Sequence, residues 1–167
     1  MTLEVRPARP EEHEETGRVT ALAYREFVAP GDDGWEEYLH HIADVEGRAG
    51  SATVFVAVED GRILGSATLE LDGRIDDDDS PLHPDEGHIR MLGVHPNARG
   101  RGIARALVGA CFSAAREAGR TYVTLHTTQR MKVAQAMYGS MGFARLEDRV
   151  FPDGFVLFTY RKAITPA

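Results

Sequence analysis

Apolar and polar positions change period several times along this chain, and each change marks an element. "LEVRPA", residues 3–8, alternates and predicts a short strand with its charges outward. From Pro10 to about Val28 the apolar positions Val19, Leu22, Ala23 and Phe27 fall near helical spacing. "PGDDGW" (30–35) reads as a turn, and "WEEYLHHIADVEGRAG" (35–50) as a second helix closed by glycines. "TVFVAVEDGRILGSATLEL" (53–71) holds two β-rich runs around Asp60-Gly61, a tight antiparallel turn. A polar loop, "DGRIDDDDSPLHPDEG", leads to the strand "HIRMLGV" (88–94).

From Gly102 to Ala118 a helix presents one apolar stripe: Ile103, Leu107, Cys111, Ala114, Ala115 and Ala118. "TYVTLHT" is a strand, and "MKVAQAMYGSMG" a helix ended by Gly142. "FARLE" and "FVLFTYRK" are the last strands. The order is β-α-α-β-β-β-α-β-α-β-β. Its central strand–helix–strand unit demands a right-handed crossover between parallel strands. The remaining pairs are expected to be mostly antiparallel, which gives an α+β, or mixed α/β, class.

The length of 167 residues fits one domain spanning 1–167. A chain of this size buries enough surface to need neither disulfide nor metal. Cys111 is the single cysteine, so no internal disulfide forms. With no apolar leader and no long apolar run, the expectation is a cytoplasmic protein without a membrane partner. The net charge of −7 argues against a nucleic-acid partner, because phosphate neutralisation requires a basic face.

Against that acidic background "HPNARGRGIARALV" stands out. Pro96 stops a strand, Asn97–Gly100 turn the chain, and a helix starts near Arg101. The first amides of a helix lack intrahelical partners. Gly100 and Gly102 leave those amides open to close approach. Arg99 and Arg101 add forked donors, and the helix dipole favours negative charge here. The corner therefore reads as a phosphate or pyrophosphate site; the other reading is a solvated, arginine-rich helix start. A P-loop needs a lysine that is absent. A dinucleotide fingerprint needs a small residue where Arg105 stands and an acid after "TYVTLHT".

The segment Arg99-Gly100-Arg101-Gly102-Ile103-Ala104 resembles the acyl-coenzyme A motif of the GNAT (GCN5-related) N-acetyltransferase superfamily, R/Q-x-x-G-x-G/A. "MLGV" before the proline is similar to that family's fourth strand, and "AQAMYGSMGFARL" to its later helix and strand. The element order also matches. The resemblance implies a mostly antiparallel sheet of about seven strands flanked by four helices. It implies acetyl-CoA as cosubstrate, no metal, and a primary amine of a small molecule or peptide as acceptor. The pyrophosphate is expected on the amides of Arg99, Gly100, Arg101, Gly102, Ile103 and Ala104. The pantetheine arm is expected beside Met91, Leu92, Gly93 and Val94, where Gly93 would permit a bulge. A homodimer is among the states expected of such a protein.

Tyr138, in "MYGSMGF", is then the expected acid for the departing thiolate; its other reading is a packed amphipathic tyrosine. Glu86 and His88, at i and i+2 on a strand, face one side and are alternative bases, alongside a water chain. His126 ends the next strand and is a candidate for contact with the acceptor. Trp35 and Tyr38 either line the acceptor pocket or pack in the core. Asp76–Asp79 read as a solvated loop, with attraction of a polyamine as the second reading. Neither His40-His41 nor any other spacing matches a metal motif. Two other functions remain open: a non-catalytic acyl-CoA sensor of the same fold, and a nucleotide-binding enzyme of another class.

Overall fold

The computed structural model of the protein describes residues 2–27, 33–76, 79–128 and 131–165. Val28, Pro30–Asp32 of the expected turn, and Asp77 and Asp78 of the acidic run lie outside them.

The sheet has eight strands in the order β1-β2-β3-β4-β5-β8-β6, with β7 also paired to β8. They are β1 (Glu4–Pro7), β2 (Thr53–Glu59), β3 (Arg62–Glu70), β4 (Glu86–Val94), β5 (Tyr122–Thr128), β6 (Ala144–Arg145), β7 (Arg149–Val150) and β8 (Val156–Ala163). The helices are α1 (His13–Arg25), α2 (Asp33–Ala43), α3 (Val45–Ala49), α4 (Ile103–Glu117) and α5 (Lys132–Ser140). The mixed class expected from the sequence holds, with one helix and one short strand more than expected.

Local chemistry accounts for the differences. The second helix divides at Asp44, whose carboxylate accepts from Gly47 N at 3.0 Å and so starts α3. Arg48 is buried and donates to the carbonyls of Ile42 and Asp44 at 2.8 and 3.1 Å, tying down the end of α2. Its Nε also reaches Thr68 on β3 at 3.2 Å. The hairpin between β2 and β3 turns on Asp60 (φ 52°) and Gly61 (φ 74°). Two consecutive left-handed residues match the twist of the flanking strands. The α4 stripe includes the fully buried Val108, while Ala118 is exposed at the helix end.

All neighbouring strands are antiparallel except β4 and β5. α4 makes the crossover between them and packs on β2, β3 and β4, whereas α1 packs against β3 and β4 as well as α2. Ile89, Leu107, Cys111, Val123 and Leu125 form the centre of the core under α4. Burial pushes the Cys111 thiol up to about 12, which leaves it a packing residue.

α1 and α2 approach so closely that a Cβ on Gly17 would lie 2.1 Å from the Ala43 carbonyl oxygen. Helix propensity alone favours alanine over glycine by about 1 kcal/mol. The clash reverses the sign. Gly17→Ala is expected to lower the unfolding free energy by about 1–3 kcal/mol in urea denaturation.

Candidate active site

The parallel pairing of β4 with β5 runs only from Glu86–Tyr122 to Ile89–Leu125. Beyond it the two strands separate, and β4 continues to Val94 against β3 alone. The cause is a bulge. Ser66 pairs with Gly93 and Thr68 with Arg90, so Met91 and Leu92 together oppose Ala67. The left-handed residue is Met91, at φ 54°, and the bulge lies there and at Leu92 rather than at Gly93, which the sequence marked as able to permit one. Gly93 serves close packing instead: a Cβ there would stand 2.9 Å from the Ala23 side chain. The Met91 side chain turns away from the opening to join Leu39 and Ile42.

A cleft of about 620 Å³ fills the gap between the strands. Leu92, Gly93 and Val94 form one wall, and His126, Thr127, Met137 and Tyr138 the other. Its mouth is the start of α4, lined by Arg99, Gly100, Gly102, Ile103 and Ala104. Gly100 and Gly102 have φ of 77° and 78°, a conformation that strains any side-chain-bearing residue. The helix begins at Ile103, two residues later than the sequence pattern indicates.

The arginines divide. Arg99 lines the cleft, paired with Glu26 and donating to Ala23 O at 3.3 Å. Arg101 does not line it; its guanidinium reaches Glu59 at 2.5 Å. Arg105 does line it, beside Ser140. Arg105 stands in the first turn of α4, beside the amides that lack intrahelical partners, and sequence reading passed it over as a site residue.

Tyr138 is 4% exposed and packs its ring on Phe143 and Tyr160, with centroids 5.6 and 5.8 Å away. Burial, then the neighbouring Cys111 and Tyr160, push its phenol above the usual range, so it holds its proton. On the same wall Thr127 is 2% exposed, and its Oγ1 is buried with no hydrogen-bond partner among the described residues.

A second cavity of about 330 Å³ adjoins the first, and His126 lines both. Glu86 and His88 face this second cavity together, as their i, i+2 spacing requires. They are joined through Thr124. The Thr124 hydroxyl donates to Glu86 Oε2 at 2.5 Å, and the same oxygen lies 2.7 Å from His88 Nδ1. A hydroxyl has one proton, and here it goes to the carboxylate. His88 must therefore donate from Nδ1, which leaves Nε2 as its basic nitrogen. The His88 and His126 rings lie 4.8 Å apart. Burial, then the charge of His126, hold His88 well below the ordinary histidine value. Burial, then Arg74, lower His126 as well.

Trp35 and Tyr38 fall outside both cavities. Trp35 contacts Tyr38 and Phe155, with ring centroids 5.7 and 6.5 Å away, and forms an aromatic cluster between α2 and the β7–β8 turn. Asp76 and Asp79 are half-exposed and ion-paired. Arg90 holds them at 2.8 and 2.9 Å, Arg74 holds Asp79 at 3.3 Å, and His41 holds Asp76 at 2.8 Å. The β3–β4 loop is strapped over the sheet by these pairs. Among the described residues no group of three or more His, Cys, Asp or Glu could hold a metal ion. None of their helices is long and apolar enough to cross a membrane.

The sequence model of the Acetyltransferase (GNAT) family matches residues 17–143. The chain belongs to this family. Among its GNAT relatives, mycothiol acetyltransferase of Cellulomonas flavigena is 31% identical over 143 residues, covering 74% of this chain and 41% of that protein. The chain thus spans less than half the length of that curated relative. The structure of yncA from Salmonella typhimurium, solved with its cofactor acetyl-CoA, aligns at TM-score 0.73 and 18% identity. That match covers 100% of this chain and 96% of yncA. The PaiA N-acetyltransferase of Thermoplasma acidophilum, solved with coenzyme A, aligns at 0.72 and 14% identity, covering 97% and 100%. At these identities the two structures establish the GNAT fold.

The folded-state pKa of His88 lies below the ordinary 6.5, so the unfolded chain takes up the proton first on acidification. Stability is full above about 6.5 and is lost as pH falls from there towards the folded-state value. Urea titrations between about pH 7.5 and 5.5 are expected to show this loss, and His88→Gln to reduce its slope. Nitrogen-15 NMR is expected to find His88 neutral with the proton on Nδ1, and Thr124→Val to abolish that single-tautomer signature. A His88 proton on Nε2 in the wild type would refute the assignment.

Proposed function

We propose that the protein transfers an acetyl group from acetyl-CoA to a primary amine, directly, with both substrates bound together. One observation carries this reading: the gap between β4 and β5 opens onto the α4 N-terminus, so one continuous cleft runs from Leu92, Gly93 and Val94 to Gly100, Gly102, Ile103 and Ala104. A polar ligand arm in the cleft would meet the backbone groups that β4 and β5 no longer offer each other beyond Ile89 and Leu125. Such an arm fits pantetheine, with its amides and its length. The amides and dipole at Gly100–Ala104, with Arg99 and Arg105, suit the pyrophosphate. The acetyl-CoA and coenzyme A found in the neighbouring folds agree with this assignment.

The chemistry divides among the residues around the cleft. An alkylamine of pKa near 10.4 is free base in only about one molecule in a few thousand at pH 7. His126, on the border of the two cavities, and His88 behind it take the amine proton. The hydrogen bond of Glu86 to Thr124 keeps His88 in the acceptor form. Both imidazoles are neutral at pH 7 because burial lowers them, so they are ready to accept. The amine nitrogen attacks the thioester carbon, and the bulged strand at Leu92 offers a main-chain N–H to the developing oxyanion. When the C–S bond breaks, Tyr138 supplies a proton to the thiolate. Its raised pKa makes it a phenol, not a phenolate, at the start of the step.

Isothermal titration with acetyl-CoA, followed by thiol release with a panel of amines, tests the whole reading. Binding without transfer to any amine would favour the acyl-CoA sensor. Thr127→Val is expected to stabilise the ligand-free protein by about 1 kcal/mol in urea denaturation, because it removes a buried hydroxyl with no partner among the described residues. Arg99→Ala is expected to weaken acetyl-CoA binding by between about threefold and tenfold, because its pair with Glu26 already occupies it. Arg101→Ala is expected to leave it nearly unchanged. Tyr138→Phe is expected to lower kcat by roughly 100-fold with little change in the KM for acetyl-CoA. Unaltered turnover would remove Tyr138 from the mechanism.

A further inference from the structure

The second cavity carries a charge pattern that amine transfer alone does not require. Arg149 and Arg161 both line it. The Arg161 guanidinium stacks 3.8 Å from the centre of the Tyr122 ring, and Arg149 stacks 4.7 Å from that of Phe151. Stacking holds a guanidinium's face and leaves its edge donors free. Neither arginine has a carboxylate within ion-pair distance among the described residues. By contrast, Arg6, Arg18, Arg25, Arg74, Arg90, Arg99, Arg101, Arg120 and Arg145 are each paired with one.

The acids that line this cavity are already engaged. Asp79 is held by Arg74 and Arg90. Glu86 accepts from Thr124 through one oxygen and from the His83 amide, at 3.2 Å, through the other. The lining sets Arg74, Arg149 and Arg161 against Asp79 and Glu86, and so carries an excess of positive charge in a chain of net charge −7.

We infer that this cavity is a subsite for an oxyanion on the acceptor. The substrate class is then a primary amine bearing a carboxylate or phosphate several bonds from its nitrogen. This inference rests on the acetyl-transfer reading for the position of the nitrogen. In the β5–β8 register His126 opposes Thr159 and Thr124 opposes Arg161. The two positions lie about 7 Å apart along the strand. An amine delivered to His126 thus has its far end beside the Arg161 guanidinium, while Arg149, opposite Leu157, flanks the His126–Thr159 pair on its other side. The forked donors of the two arginines match either oxyanion.

The test compares 4-aminobutanoate with its neutral counterpart 4-aminobutan-1-ol, and O-phosphoethanolamine with ethanolamine. The wild type is expected to show a KM about tenfold or more lower for an anionic member than for its neutral partner. The pair with the larger ratio tells carboxylate from phosphate. Arg161→Gln and the double variant with Arg149→Gln are expected to erase that ratio. The KM for acetyl-CoA, the kcat for the neutral amine and the thermal midpoint should not change. Equal handling of both partners, a preference for 1,4-diaminobutane, or a ratio that survives the double variant would overturn the subsite. Calorimetry of the same four amines on protein saturated with coenzyme A separates this inference from the one beneath it. Anion-selective binding lost in the variants would sustain the subsite even if no acetyl group moved. Binding that is absent, or indifferent to charge, would overturn it.

Discussion

One break in hydrogen bonding organises this molecule. β4 and β5 can stay paired only as long as β4 keeps its pleat, and the extra residue at Met91–Leu92 ends that at Ile89 and Leu125. A sheet interior cannot leave two rows of amides and carbonyls facing an apolar void, because unpaired buried backbone groups are costly. The gap is tolerable when it is open to water or to a polar ligand that can act as the missing strand. The rest of the architecture follows that opening. α4 starts at its rim, α5 brings Tyr138 to its far wall, and the face of β5 carries His126 to the point where the two cavities meet.

The second cavity shows how side chains can turn a sheet surface into a hydrogen-bonded array of titratable groups. Glu86, Thr124 and His88 lie on neighbouring strands in direct register or one step removed. Strand geometry alone brings them within hydrogen-bond reach. Nothing flexible is involved, since His88 is 2% exposed and its neighbours are ladder residues. The price is carried by the histidines, which burial holds in the neutral form. The loop between β3 and β4 closes over this face because Arg90 projects from the sheet into Asp76 and Asp79.

Much of this was legible in the sequence, and the reasons differ by element. The Asp60-Gly61 hairpin, the α4 stripe and the Gly100–Gly102 corner are local, so propensity and periodicity determine them. The shared face of Glu86 and His88 follows from a period of two. Met91 was missed because left-handed backbone is rare outside glycine, and the nearby Gly93 offered a more permissive position. The direction of the Arg101 side chain was not legible, because its partner, Glu59, lies on another strand and draws the guanidinium away from the cleft. Thr124 and Thr127 look like ordinary β-branched strand residues. Only the fold reveals that one bridges two titrating groups and that the other has no partner. The acidic run read as solvated because its arginine partners approach it through tertiary structure.

The pairing of Arg99 with Glu26 gives the corner at the start of α4 an unusual resting state. A guanidinium waiting alone beside a helix dipole would repel its surroundings and attract any passing counter-ion. Here the carboxylate at the end of α1 occupies the place until a stronger anion arrives, and the swap conserves the number of contacts between opposite charges. What such a corner selects is therefore the valence and spread of the anion, since only a group more highly charged than one carboxylate gains by evicting it.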